Sequence, residues 1–517
     1  MTHEPIGRAL VYSGDQRFAT FTDDHGNFEL TIAVPSVAQE SEALANTRIM
    51  LQARRPGFLS DTGLRDRSFA KLGQKDVTLS LVPEGLIVGQ VKFPSAEAAN
   101  HVQVQLYHRA VREGFAQWEQ LPGVTTRADG EFRFADLGAG EYKVFTLETT
   151  EQDPLANIPN GPVYGFPPRF FAAARDFATA DTITLHAGET FTSNLAPERQ
   201  RYYDVRVPVI SAEPGSVPGL LVSVYPQGHR GPGFTLGFNR TQNAIAGSLP
   251  DGTYTIEAVG FGSNGQSGAG SITVANGPVN GPPLVLAPSA LIEINIRQES
   301  SAAENPAPHV GIEPTPPAAY IRLRPAEEVP SRAPSFYQSQ GEPPTLSGIR
   351  PGRYWVEVEA NPGYAASVTS AGRDLLRAPL VVPYGASVPP IDITVRHDGG
   401  EIEAIVDRSA PGTSGAVVTS RIGRGAALSF SFEENSFVYC IPLANDGPVR
   451  GFNGRSNESY VLGPVPPGDY RVLAFDTRQE FEYRNPAAMR AYESKGQVVH
   501  VSGGQKVQVT VPLIRSE

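Results

Sequence analysis

The chain is 517 residues long, enough for four or five domains at about 100–150 residues each. Its formal net charge of −11 and pI near 5.4, with no Lys/Arg cluster to reverse the sign locally, exclude a phosphate backbone as partner: no nucleic acid is expected. The single cysteine, Cys440, permits no intrachain disulfide, and no apolar run nears the ~18–20 residues of a membrane helix, so no membrane span is expected in this chain.

The 52 glycines and 46 prolines suit many short strands joined by turns, and 40% hydrophobic residues suffice to give each domain a core. The first expected module is 1–82. It holds a hairpin signal in TFTDDHGNFELTI (Asp24, Gly26, Phe28), a strand in RIMLQARRPGF and a closing strand in GQKDVTLSL. The second, 83–196, opens with GLIVGQVKF and HVQVQLYHR, then carries the hairpin TTRADGEFRF and the phrase FADLGAGEYKVFTLE. Modules at 197–289, 290–396 and 397–517 each open on two strands and carry AGSLPDGTYTIEAVGF, LSGIRPGRYWVEVEANPGY and LGPVPPGDYRVLAFD in turn. The tyrosines of these phrases, Tyr142, Tyr254, Tyr354 and Tyr470, recur roughly 100 to 116 residues apart, one per module.

In each phrase the glycine two residues before the tyrosine is expected at positive φ in a tight turn, and the tyrosine to open a half-buried strand with period-2 alternation. The joints carry Pro or Gly at Pro83, Pro197, Pro288 and Gly399 and are short, which predicts a semi-rigid series. The first module opens on EPIGRALVYSG, which corresponds to the second strand of the others, so its first strand is missing. The expectation is that Met1 is an internal start and that an upstream strand, itself preceded by a secretion signal, completes the module. The alternative is a strand from elsewhere. If Met1 is the true start, MTHEPIGRAL carries no signal and the cytoplasm is the default.

The order of these phrases resembles the carboxypeptidase regulatory-like family. The second module carries the family pattern through Asp129, Gly130, Phe132, Leu137, Gly140 and Tyr142, and the fourth through Pro351, Gly352, Tyr354, Pro362, Gly363 and Tyr364. The fifth keeps Pro467, Gly468 and Tyr470; the first matches through its hairpin and through Gly57 and Phe58; the third departs most. The resemblance implies an all-β chain, a tandem array of about five small Greek-key, prealbumin-like β-sandwich modules. It also implies no peptidase activity, and a cell-envelope or extracellular location. Carbohydrate binding would follow only by analogy with related sandwiches.

No catalytic residue, metal or cofactor is expected. The nine histidines form no His-x-x-Glu or His-x-x-x-His set, so a catalytic zinc lacks its spacing. Gly262-Ser263-Asn264-Gly265 and Gly412-Thr413-Ser414-Gly415 miss the nucleophile-elbow spacing and read as polar loops. Asp23-Asp24 and Asp129 could lend oxygens to calcium, but lack the alternating acids and terminal Glu of a calcium loop; turn chemistry accounts for them. Lys92 and Asn194 could approach a pilin-type Lys–Asn weld, yet Thr146 stands where its acid should be.

Two insertions after Gly-x-Tyr strands are rich in aromatics. Tyr164, Phe166, Phe170 and Phe171 in the second module, with Phe481, Tyr483 and Tyr492 in the fifth, are the candidate ligand-binding residues. They could stack on sugar rings or on a partner protein, or fold back as plugs on a sandwich end, which is the favoured reading. The expected function is a non-catalytic binding or structural protein whose partner is a polysaccharide or a surface protein. The alternatives are a spacer stalk, or an accessory region of a larger surface enzyme or receptor.

Overall fold

A computed structural model describes residues 4–32, 48–60, 68–71, 77–94, 99–112, 114–151, 162–212, 219–260, 266–299, 318–328, 344–361, 363–385, 387–407, 418–422, 426–430, 436–444, 450–454, 459–476 and 478–515. The described residues are nearly all β, built into a series of sandwich repeats. The chain divides into two compact units. One comprises Met1–Arg109 with Gln120–Tyr202, the other Ala110–Glu119 with Tyr203–Glu517. No helix among the described residues is long and apolar enough to cross a membrane.

Four repeats share one strand plan. The opening strand lies between the strand that precedes Gly-x-Tyr and the strand that closes the repeat, and runs parallel to the closer. In the second repeat Gly85–Gln90 lies between Glu131–Leu137 and Thr190–Thr192. In the third, Gln200–Ser211 pairs with Ala244–Pro250 and, in parallel, with Leu284–Pro288. In the fourth, Ala290–Gln298 lies between Thr345–Ile349 and Ile391–Arg396, and in the fifth Gly400–Asp407 lies between Tyr460–Val465 and Lys506–Ile514. In the second and fourth repeats a separate second sheet forms around the Gly-x-Tyr strand and packs over the first; in the third and fifth the Gly-x-Tyr strand stays linked to the opening strand's sheet by way of the closing strand. The inner face of the separate sheet joins cores such as Ile87, Leu106, Phe132, Phe134 and Val144 in the second repeat, and Ile294, Ile321, Leu346 and Val356 in the fourth. Alternation of apolar and polar residues dictates this layering, since each strand presents one face to its partner sheet.

The Gly-x-Tyr phrase has one geometry throughout. Gly140, Gly252, Gly352 and Gly468 each begin a strand. The tyrosine two residues on donates its hydroxyl to the carbonyl four residues before it: Tyr142 to Gly138 at 2.8 Å, Tyr254 to Pro250 at 3.0 Å, Tyr354 to Arg350 at 2.9 Å, and Tyr470 to Pro466 at 2.5 Å. Gly252, Gly352 and Gly468 have the expected positive φ, at 157–158°, bordering extended backbone, while Gly140 is not among the positive-φ glycines. In two repeats the ring also lies over the glycine: a Cβ on Gly252 would sit 2.8 Å from the Tyr254 oxygen, and one on Gly352 3.3 Å from the Tyr354 ring.

Among its described residues the first repeat has a four-stranded sheet and the pair Phe58–Ser60/Leu81–Pro83. Ala19–Phe21, Leu10–Ser13, Arg48–Arg54 and Ser68–Lys71 pair in that order, matching the second sheet of the next repeat. The two repeats also share an entry device. Arg8 and His101 have φ of 58° and 59° and donate their amides to the carbonyls of Thr22 and Thr126. The hydroxyls of those threonines accept from Ala9 and Val102 and donate to the carbonyls of Ile6 and Ala99. The expected first hairpin is only half formed. Its turn is present, with Gly26 at φ 76°, but Asn27–Ile32 joins no ladder among the described residues.

Candidate functional site

Two clusters of polar and aromatic side chains lie in the second unit. One grows from the outer face of the sheet Ala318–Pro325/Gly352–Asn361. Because Ala319, Ile321 and Leu323 face the core, Arg322 and Arg324 face outward, and the register sets them opposite Glu357 and Trp355. The Arg324 Nε donates to Glu357 at 2.8 Å, and a second guanidinium, that of Arg322, lies 3.8 Å from the same carboxylate. Phe115 and Arg484 cover this face. Arg484 lies 4.9 Å from the centre of the Trp355 ring and 5.4 Å from that of Phe115, and it donates to the carbonyl of Leu376 at 3.0 Å. Gly114, at φ 89°, lies so close that a Cβ there would meet the Tyr483 ring at 1.8 Å.

The other cluster centres on Glu257. Its carboxylate accepts from Tyr225 at 2.6 Å, Tyr384 at 3.1 Å and Arg230 at 2.9 Å. Burial, then the hydrogen bond to this carboxylate, push the Tyr225 phenol far above its usual range; burial and the same carboxylate raise Tyr384. Arg230 also lies 3.7 Å from Glu327, across the joint between the third and fourth repeats. Glu257 ties Tyr225, Tyr384 and Arg230 together, and one oxygen of Glu357 holds Arg324 with Arg322 beside it, so both clusters act as clasps between elements.

The seven insertion aromatics divide between the units, Tyr164, Phe166, Phe170 and Phe171 in the first and Phe481, Tyr483 and Tyr492 in the second. Phe166 stacks on Phe93 with centroids 4.0 Å apart, Phe170 stacks on Phe145 at 4.5 Å, and Phe171 meets Phe191 edge-on. Tyr164 lies under the Arg199 guanidinium, which is held by Glu151 at 2.7 Å. Phe481 packs on Tyr439, Phe475 and Tyr492, and Tyr483 meets Phe115 edge-on. Phe166, Phe170, Phe481 and Tyr483 are buried; Tyr164, Phe171 and Tyr492 are half-buried. The fifth-repeat insertion ends in a short helix, Pro486–Met489, capped by the Asn485 side chain accepting from the Ala487 amide, with proline at its first position.

Sequence reasoning missed the second small core that these insertions make. Lys143, on the outer face of its strand, is buried, donates to the carbonyl of Phe177 at 2.7 Å and lies 4.8 Å from that ring. The available signal was the unbroken run Tyr-Lys-Val-Phe-Thr, buried on both faces where alternation predicts one exposed.

The other candidates serve local structure. Asp23 accepts from the amides of His25 and Asn27, and Asp129 from that of Glu131, as turn-forming carboxylates do. Hydrogen bonds from Asn27 hold the Asp23 carboxyl below its usual range. Asn194 accepts from the Gln90 amide at 3.0 Å, and Lys92 is exposed. Both Gly/Ser segments, Gly262–Gly265 and Gly412–Gly415, lie outside the described residues, as do His3 and His309. Among the described residues no cluster of three or more His, Cys, Asp or Glu could hold a metal.

No family model matches the chain, and no curated protein matches it. Among solved structures it is similar to the Bacillus anthracis TIE protein, at 10% identity over 83% of this chain and 74% of that one, with a TM-score of 0.16. It is also similar to GBS52, a minor pilin of Streptococcus agalactiae, at 14% identity over 40% of this chain and 97% of that one (TM-score 0.17). A streptococcal ancillary pilin matches at 11% identity over 46% and 80%, with a TM-score of 0.18.

Proposed function

We propose that the protein is a non-catalytic structural component of the cell envelope or extracellular space, a series of β-sandwich repeats that holds attached elements in place. The observation that carries this reading is the use of its richest polar and aromatic clusters as clasps: Glu257 binds three donors and Arg484 stacks against Trp355. The insertion aromatics support the same view, since their rings pack on Phe93, Phe145 and Phe475. An envelope location rests on the resemblance of the repeats' phrase order to the carboxypeptidase regulatory-like family. A polysaccharide or surface-protein partner would be met on outer sheet faces. The test pairs a glycan array and a peptide-hydrolysis panel with fractionation of cells carrying the natural gene. Envelope recovery with neither glycan binding nor turnover is expected. Saturable glycan binding abolished by Phe170→Ala in a folded variant would replace the structural reading with a lectin-like one, and cytosolic recovery would remove the location.

A further inference from the structure

We propose that the hairpin Ala110–Glu119 is a strap: seated, it locks the fourth and fifth repeats into one cooperative unit, and released, it lets them open separately. The hairpin is made by the ends of the strands Gln103–Arg112 and Phe115–Gln120. It belongs to the second unit, although the chain on either side of it, up to Arg109 and from Gln120, belongs to the first. The lock operates wherever the protein resides.

A hairpin tip ordinarily stands in solvent. This one is docked. Gly114 is buried, and its backbone lies flush against the Tyr483 ring, which a Cβ there would approach to 1.8 Å. Phe115 then meets both repeats at once. Towards the fourth it has Trp355, with ring centres 6.5 Å apart, and the Arg324 guanidinium 5.4 Å from its centre. Towards the fifth it has Tyr483, edge-on at 6.2 Å, and the Arg484 guanidinium at 5.4 Å. Such ring and cation contacts depend on orientation, so they hold the ring in one place. Arg112 and Glu119, one on each strand, join through hydrogen bonds of 2.8 and 3.1 Å and brace the hairpin behind its tip.

Each side of the seat is fixed to its own repeat. Trp355 and Arg324 stand on the sheet Ala318–Pro325/Gly352–Asn361, whose other face carries Ile321, Leu323, Val356 and Val358 into the fourth repeat's core. Tyr483 belongs to a small core with Ile441, Leu473, Phe475 and Phe481 on the fifth repeat. The insertion that carries it is tied down at both ends. The Gln479 amide donates to the Tyr439 hydroxyl at 2.9 Å, and Arg471 donates to the Tyr492 carbonyl at 3.1 Å. Opening of either repeat therefore reaches Phe115 through contacting side chains, and Phe115 is the ring that both sides share. Coupling of this kind needs an element with two positions that both sites bias, and a hairpin that docks by its tip supplies one.

Urea unfolding of the full chain, with a separate reporter in each repeat, tests the lock. Hydrogen exchange of Ile391–Arg396 reports the fourth repeat. Alkylation of Cys440, the chain's single cysteine and fully buried in the fifth repeat's core, reports the fifth. The two midpoints should coincide in the parent and separate by about 0.5 M urea or more in Phe115→Ala. Phe115→Leu keeps apolar bulk without the ring; it should separate them less, and it serves if the alanine variant does not fold. Tyr470→Phe, which weakens the fifth repeat and leaves the strap seated, should lower both midpoints together. The proposal fails if the parent's midpoints already differ, if the Phe115 variants leave them coincident, or if Tyr470→Phe alone separates them.

Discussion

The Arg484 guanidinium lies 4.9 Å from the centre of the Trp355 ring, with Phe115 on another side at 5.4 Å. With Tyr483 at 5.8 Å, one cation serves three aromatic rings while its Nη1 donates to the Leu376 carbonyl. Partly desolvated cation–π contacts contribute up to about 2 kcal/mol. Arg484→Ala should therefore lower unfolding free energy by about 1–2 kcal/mol, and Arg484→Lys should recover little, because an ammonium cannot stack as a plane. Urea melts followed by tryptophan fluorescence check this; an unchanged midpoint for both variants would leave the clasp without energetic weight.

Gly114 offers a sharper probe of the same joint. Its φ of 89° and the 1.8 Å approach of a built Cβ to Tyr483 mean that any side chain is both strained and blocked. Gly114→Ala should cost about 1–3 kcal/mol and expose the joint, read as a red shift from Trp355 in a Trp118→Phe background. Because Trp118 and Trp355 are the chain's two tryptophans, the signal then has a single source. Emission and stability identical to the parent would contradict the packing described.

Much of this architecture was legible in the sequence, and the remainder was hidden for identifiable reasons. The recurrence of Tyr142, Tyr254, Tyr354 and Tyr470 marks the repeats because each phenol satisfies the same local carbonyl. That geometry depends on neighbours along the chain, so a short phrase records it. The positive φ expected of the phrase's glycine holds at Gly252, Gly352 and Gly468, but the clearance that Gly252 gives the Tyr254 ring is a contact in space that the phrase does not record. The Glu257 clasp was invisible: Tyr384 lies 127 positions along the chain, and nothing in either local phrase refers to the other. Phe28 reads as a strand residue by pattern, but Asn27–Ile32 joins no ladder among the described residues, because a ladder needs a second strand and pattern does not supply one.

Phe170 separates plug from platform. It is 1% exposed and stacks on Phe145. Truncation to alanine should cost about 3–5 kcal/mol, as for a fully buried phenylalanine. A ring held out for sugar would instead leave the melting curve in place. Denaturant midpoints of Phe170→Ala against the parent decide, and a loss below about 1 kcal/mol would return the residue to the list of binding candidates.

The shared tyrosine bond should behave alike wherever it recurs. Tyr142→Phe and Tyr254→Phe each remove one hydroxyl and leave a carbonyl, that of Gly138 or Pro250, without it. Each should cost about 0.5–1.5 kcal/mol, and the pair should add, because the two bonds lie in different repeats. Marked non-additivity would show that the repeats are coupled through more than their joints.

Alkaline pH tests the buried phenols together. Burial pushes Tyr107 and Tyr142 up to about 12, and burial with a hydrogen bond to Asp398 does the same for Tyr364. Tyr225 and Tyr384, held against Glu257, are raised further. In the unfolded chain these groups titrate near the usual value of about 10. Between that value and about 12 the folded state holds more protons than the unfolded one, so stability must fall as pH rises. The contribution is complete below pH of about 10 and is lost as pH passes the folded values. Urea midpoints should therefore decline steeply above pH of about 10, and absorbance at 295 nm should show a late tyrosinate fraction that appears together with unfolding. Replacing Tyr142 and Tyr225 by phenylalanine should flatten that decline while lowering stability at neutral pH. A midpoint that holds constant through pH of about 11.5, or complete phenol ionisation in a still-folded chain, would show these hydroxyls to be accessible and the clasp at Glu257 to be open.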